Sequence, residues 1–115
     1  MSRRTQRIAE QLKSEIARVL REEVTDPRVE LVTLTRVDVA PDLSHALVLW
    51  SSVGEVAIER IEEGLESAAP FVRRSLARTL PLKRMPRLDF RYDPSLALGS
   101  DTLALLSSLS DDESS

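Results

Sequence analysis

Arg73 and Arg74 follow Pro70 in the stretch GLESAAPFVRRSL, residues 64–76, and with Arg78, Lys83 and Arg84 they form a run of cations uninterrupted by any acidic residue. Guanidinium and ammonium groups spaced this way can neutralise phosphate oxygens, arginine by its bidentate fork and lysine as a point charge. A second group, Arg3, Arg4 and Arg7, opens the chain. The formal net charge of −3 conceals both groups. Residues 1–21 carry six basic and two acidic side chains, 22–70 three and eleven, 71–92 seven and one, and 93–115 none and five. Two basic blocks in an acidic chain are the pattern expected of a surface that meets a polyanion.

Other chemistries find little to work with. His45 is the single histidine and there is no cysteine, so a zinc site would have to be built from carboxylates almost alone. The carboxylates of EVAIERIEEGLE lie on helix faces, with nothing to make two of them share a proton. Gly54, Gly64 and Gly99 are too far apart for a phosphate loop or a dinucleotide fingerprint. No catalytic group, metal site or cofactor is expected. Only Trp50, Phe71, Phe90 and Tyr92 are aromatic, too few and too scattered for a base-stacking platform. What remains is a basic face of helices and loops that reads backbone and shape.

The elements that must hold this face follow from periodicity. Ile8, Leu12, Ile16, Val19 and Leu20 recur at helical spacing over Thr5 to Val24, and TDPR ends that helix. Arg3, Arg4, Arg7, Arg18 and Arg21 fall within about 100° of one another, opposite the apolar stripe. LVTLTRVDV (31–39) and SHALVLWSSV (44–53) read as strands joined by the turn APDL. The second strand is apolar on both faces, which suits an inner strand or one with an edge covered by something else. Glu55 to Leu80 returns to helical period with Pro70 in the middle. A proline inside a helix costs about 3 kcal/mol, but at a first helical position it costs little. One helix is therefore predicted to end near Ala68 or Ala69 and another to start at Pro70, with its free amides forming an anion-seeking end. In the plainer structural alternative, the break lets two short helices wrap the sheet and the arginines are only solvated.

LPLKRMPR (80–87) is a loop or an irregular extended lead-in, and RLDFRYD alternates as a third strand, with Leu88, Phe90 and Tyr92 on one face and Arg87, Asp89 and Arg91 on the other. Leu103 to Leu109 is an apolar patch suited to a helical turn or two against the core. The order is helix, strand, strand, broken helix, strand: an α+β domain over residues 1–106 with helices on one face of a three-stranded sheet, followed by a disordered acidic tail at 107–115. No apolar run approaches the roughly 20 residues of a membrane span, and no apolar segment follows the N-terminal arginines as in a secretory signal. A cytoplasmic monomer is the expectation.

Three segments in order, RRTQRIAEQLKSEIARVLREEVTDPRV, VDVAPDLSHALVLWSSV and LPLKRMPRLDFRYDPSLALG, resemble ribosome-binding factor A, a family of bacterial small-subunit assembly factors, over about residues 3–106. Asp42, Leu43, Ser44 and Ala46 fit the family's hairpin pattern, and Pro86, Leu88, Phe90, Asp93 and Ser95 its pattern around the last strand. The resemblance implies a K-homology-like fold of type II, in which a kinked helix pair with an Ala-x-Gly corner replaces a glycine-rich phosphate loop. Ala68, Ala69 and Pro70 occupy that corner here, with proline in place of the glycine.

By the same resemblance the protein would bind free small ribosomal subunits late in their maturation, contact ribosomal RNA near its 5′ end, and assist RNA processing or final folding without cutting RNA itself. A ribosome-maturation GTPase is an open further partner. Arg73, Arg74, Arg78, Lys83 and Arg84, with Arg3, Arg4 and Arg7 as a second group, are the candidate phosphate contacts. The competing reading is a protein-interaction module that uses the acidic face of residues 55–66.

Overall fold

The structure, a computed structural model, describes residues 3–54 and 56–95. Helix α1 (Arg3–Glu22) leads through a 3-10 turn (Pro27–Val29) to strands β1 (Val32–Val39) and β2 (His45–Ser52), then helix α2 (Ile58–Thr79) and strand β3 (Arg87–Tyr92). The expected α+β order therefore holds. The Leu103–Leu109 patch and the 107–115 tail lie outside the described residues. Among the described residues no helix is long and apolar enough to cross a membrane.

The predicted stripe of α1 is its buried face: Ile8, Leu12, Ile16, Val19 and Leu20 are all buried. Burying each such side chain stabilises the fold by about 1.5–3 kcal/mol, more than helical propensity alone would contribute. The Asp26 carboxylate accepts from the Arg28 amide and starts the 3-10 turn, where Pro27 suits the first position. This turn is what ends the first helical segment and redirects the chain into β1.

The sheet has the order β1-β2-β3, with β1 antiparallel and β3 parallel to the central β2. The two apolar faces of β2 are thereby explained. Ala46, Val48 and Trp50 are fully buried toward the helices, while Leu47 and Leu49 are half-buried on the opposite face. There Leu49 stands between Arg36 and Arg91, and Leu47 between Asp38 and Asp89. The Arg36–Asp38 and Arg91–Asp89 ion pairs, at 2.8 and 3.2 Å, flank the two leucines on either side.

A bulge between Leu34 and Arg36 leaves Thr35 as an extra residue in β1. Strict alternation would send Leu34 and Val37 to opposite faces; the extra residue restores the phase, and both are buried. Among the described residues the Trp50 indole N–H has no hydrogen-bond acceptor, and its ring instead meets Tyr92 edge-on with centroids 5.1 Å apart.

The predicted break in the second helical segment is corrected. α2 continues from Ile58 to Thr79 with Pro70 inside it, and Ala69 is helical. The buried residues Ile61, Leu65, Ala68, Val72 and Leu76 form one unbroken stripe that keeps its phase across the proline. Burial of Val72 and Leu76 in that phase contributes about 3–6 kcal/mol together, against a proline penalty of about 3 kcal/mol. Packing on the sheet and α1 therefore overrides the local breaker. Since Pro70 carries no amide hydrogen, the Glu66 carbonyl loses its helical partner, and the ring crowds it. That is the usual origin of a bend within a helix.

Candidate nucleic-acid interface

Continuity of α2 removes one element of the expected site. A helix beginning at Pro70 would have offered free amides to an anion, but the amides after Pro70 lie inside a helix and face the preceding turn. Charge at this place comes from side chains alone.

Arg73, Arg74 and Arg78 are exposed on the second half of α2, and Lys83 and Arg84 are exposed on the loop that follows. Arg73 stands one turn beyond Ala69, and Arg74 one turn beyond Pro70. Helix and loop are tied together where Arg73 Nη2 donates to the Met85 carbonyl at 3.0 Å. Pro86 beneath that point is fully buried, which fixes the loop's return to the sheet. The Arg87 amide then donates to the Ser44 carbonyl at 3.0 Å, joining the loop's end to the β-hairpin turn. These five of the seven cations of the second basic block are thus held by one helix end and one anchored loop.

Beside them runs a groove of about 650 Å3 between α2 and β3, lined by His45, Glu62, Glu66, Ala69, Arg87 and Arg91 among others. Ala69, the middle residue of the expected corner, opens onto it. The β3 wall carries Arg87 and Arg91, both exposed, with Asp89 between them and paired to Arg91 at 3.2 Å; the α2 wall carries Glu62 and Glu66. Sequence reasoning places Arg87 and Arg91 together on one strand face without assigning them to the site. The alternation of RLDFRYD and its seven-to-one basic excess are the available signals.

Arg3, Arg4 and Arg7 are exposed on the first turns of α1, but they form a separate group. The far end of α1 is the part that meets the second half of α2, where Ser75 Oγ donates to Glu23 Oε1 at 3.1 Å. At 1.5 Å per residue, Arg7 lies about 24 Å along the helix from Glu23. Arg18 is the cation of the α1 stripe that is already engaged. It pairs with Glu15 at 2.8 Å, Glu23 at 2.9 Å and Glu22 at 3.5 Å, and its pKa is raised, first by the hydrogen bond to Glu15.

Two carboxylates stiffen the frame around the site. Asp42 accepts from the Ser44 hydroxyl at 2.6 Å and from its amide at 3.0 Å, closing the hairpin turn, and these bonds lower its pKa. Asp93 accepts from Thr35 and from the Ser95 amide, and is lowered likewise, with Thr35 the largest cause. On the acidic side of α2, Glu59, Glu62, Glu63 and Glu66 are all exposed, and Glu63 reaches Arg28 at only 3.6 Å.

Residues 4–106 match the family model described as ribosome-binding factor A. The chain is 43% identical over 106 residues to ribosome-binding factor A of Pseudomonas syringae pv. syringae, covering 90% of this chain and 77% of the relative. Among solved structures, it is similar to the crystal structure of ribosome-binding factor A from Thermus thermophilus, with a TM-score of 0.70 and 28% identity over 76% of this chain and 93% of that one. It is also similar to a homology model of the Thermus thermophilus factor fitted into a cryo-EM map of its complex with the 30S subunit. There the TM-score is 0.63 and the identity 29%, over 75% and 91% of the two chains.

Proposed function

The chain belongs to the ribosome-binding factor A family, and from that premise we propose that it binds the free small ribosomal subunit late in maturation and assists processing or final folding of its RNA. It acts as a cytoplasmic monomer and cuts no RNA. Its RNA contact lies near the 5′ end of the small-subunit RNA, and a ribosome-maturation GTPase is a candidate further partner. The supporting context is the relative from Thermus thermophilus fitted into a complex with the 30S subunit.

The observation that carries this reading is the bond from Arg73 to the Met85 carbonyl, which holds the arginines of α2 and the Lys83–Arg84 loop as one cationic surface beside the Ala69 groove. Anchoring the loop to the helix in this way lowers the cost of bringing its cations together on a phosphate backbone. In this reading Arg74, Arg78, Lys83 and Arg84 contact RNA phosphates, and Arg73 both contacts and braces. Arg3, Arg4 and Arg7 meet a second stretch of backbone. Ala68, Ala69 and Pro70 are part of a continuous helix, not a loop, and the α2 surface beside Ala69 sets the line along which RNA passes. Glu62 and Glu66 repel phosphate from the α2 wall of the groove and so confine the RNA backbone to the Arg87–Arg91 side.

The test is direct binding of a labelled 5′ fragment of small-subunit ribosomal RNA across a salt series. Affinity should fall steeply and log-linearly with salt as counterions are released. Salt-independent binding would overturn the phosphate mechanism. A nuclease-resistant protein complex with no shift of labelled RNA would instead favour a protein partner on the Glu59–Glu66 face.

A further inference from the structure

β1 is an outer strand of the sheet, and among the described residues no strand lies beyond it. It is 8 residues long and has no proline, whereas exposed edges are commonly kept short or interrupted. The phase of its ladder is set at both ends. The Ala40 amide donates to the His45 carbonyl at 3.0 Å, and the Val53 amide to the Leu31 carbonyl at 3.4 Å. With that phase, and across the bulge, the backbone polar groups of Val32, Leu34, Val37 and Val39 point away from β2, out along the free edge. They offer an extended chain the row of donors and acceptors on which strand addition depends.

Beside that edge α1 leaves a groove. One part, of about 590 Å3, has an apolar floor of Leu20, Val29, Val32 and Leu34; the next, of about 340 Å3, continues it along Val37, and Glu10 and Lys13 line both. The α1 wall of the first part carries Lys13, Ala17 and Arg21 one helical turn apart. The two cations therefore stand about 12 Å apart along the helix, with a small apolar residue midway. Neither of them has a hydrogen bond or ion pair among the described residues, whereas Arg18 on the same helix is held by three carboxylates. Glu30 is exposed where this wall meets the start of β1.

We propose that the free edge of β1 takes a fourth strand from a partner protein, an extended segment in which an apolar residue is flanked two positions away on each side by a carboxylate. Alternate residues of a strand share a face, and residues four apart are separated by about 13 Å. That separation matches the distance from Lys13 to Arg21, and it sets the apolar residue over Ala17. A second copy of the chain fits this groove less well. Its own β1 would present Leu34, Val37 and Val39 on this face, already buried under its own α1, and would bring a second Lys13 and Arg21 beside the first. An RNA backbone would meet Glu10 and Glu30 along with the two cations, and it makes no use of an apolar floor or a strand edge. The β1 edge lies across the sheet from β3 and the groove beside Ala69, so the inference does not rest on RNA binding.

The probe is the synthetic peptide acetyl-TETVTET-amide, with acetyl-TKTVTKT-amide as its charge-reversed control, titrated into the isotope-labelled full-length protein without RNA. The acidic peptide should bind saturably and shift the amide signals of β1 and of Lys13, Ala17 and Arg21. It should also slow hydrogen exchange at the Val32 and Leu34 amides and leave the signals of Lys83 and Arg84 in place. Lys13→Gln with Arg21→Gln should weaken this binding about tenfold and leave the urea midpoint unchanged. Absence of saturable binding, equal binding of the lysine peptide, or shifts confined to the groove between α2 and β3 would overturn the proposal. So would protection of the same amides by self-association without peptide, which would make a second copy the occupant. A single-stranded RNA that shifts the β1 amides as the peptide should would overturn it too, by making the edge an RNA contact.

Discussion

Thr35 and Asp93, 58 positions apart in sequence, meet at 2.6 Å, the threonine hydroxyl donating to the carboxylate. Thr35 is the extra residue of the β1 bulge, and Asp93 is the first residue after β3, so one bond links the sheet's two outer strands across the central one. A bulge that repairs the burial phase of β1 thus also supplies the hydroxyl that ties down the end of β3.

That bond predicts a pH-dependent stability difference. The Asp93 pKa is lowered from its ordinary 3.8, chiefly by Thr35. Its contribution is therefore fully present above that ordinary value and is lost as pH falls through the depressed one. Thr35→Val should lower the urea midpoint at neutral pH, and the gap from the parent should narrow as pH drops below the carboxylate range. A gap that stays constant over that range would show that the charge on Asp93 is not involved.

Pro70→Ala should stabilise the fold by about 1–3 kcal/mol, because it restores a helical hydrogen bond to Glu66 and relieves the ring's pressure on that carbonyl. Equilibrium unfolding measures this. The same substitution removes the ring next to Ala69, which lines the groove, so affinity for the small subunit should fall even as stability rises. A parent and variant with equal affinity would detach Pro70 from RNA recognition.

Gly64→Val should lower stability by about 1–3 kcal/mol through overpacking. A Cβ at this position of α2 meets Arg28 Cβ and Val29 Cγ1 at 3.0 Å, and Val29 is only 2% exposed, so it has little room to yield. Thermal or urea unfolding would register the loss, and a variant as stable as the parent would mean that the 3-10 turn can move aside.

Arg74→Gln with Arg78→Gln removes two exposed cations that make no intramolecular ion pair among the described residues, so unfolding should be nearly unchanged. RNA affinity should drop, and the slope of log K against log salt should become shallower by about 0.7 for each lost single-strand phosphate contact. An unaltered slope would move the contact to other residues.

Much of this architecture is legible from spacing. The stripe of α1, the hairpin, the inner position implied by the two apolar faces of β2, and the alternation of β3 all follow from which side chains must leave water. The break expected at Pro70 fails because the local rule for proline yields to the stripe. Ile61, Leu65, Ala68, Val72 and Leu76 keep one phase through the proline, and a true break would have shifted it. The bulge leaves a similar trace, since Leu34 and Val37 are three apart in a strand where alternation needs an even spacing. The link between Arg73 and Met85, and that between Thr35 and Asp93, have no sequence signal, because they depend on how distant segments pack. The first explains why the arginines of α2 and the following loop are one surface, while the Ser75–Glu23 contact at the far end of α1 sets Arg3, Arg4 and Arg7 apart from it.

The most direct test of the central claim is sedimentation of the protein with separated small subunits, large subunits and whole ribosomes, followed by immunodetection across the gradient. The protein should migrate with free small subunits, and this co-migration should weaken with added salt and with Arg73→Gln combined with Arg74→Gln. Equal migration with all three particles, or none with the small subunit, would contradict the assignment.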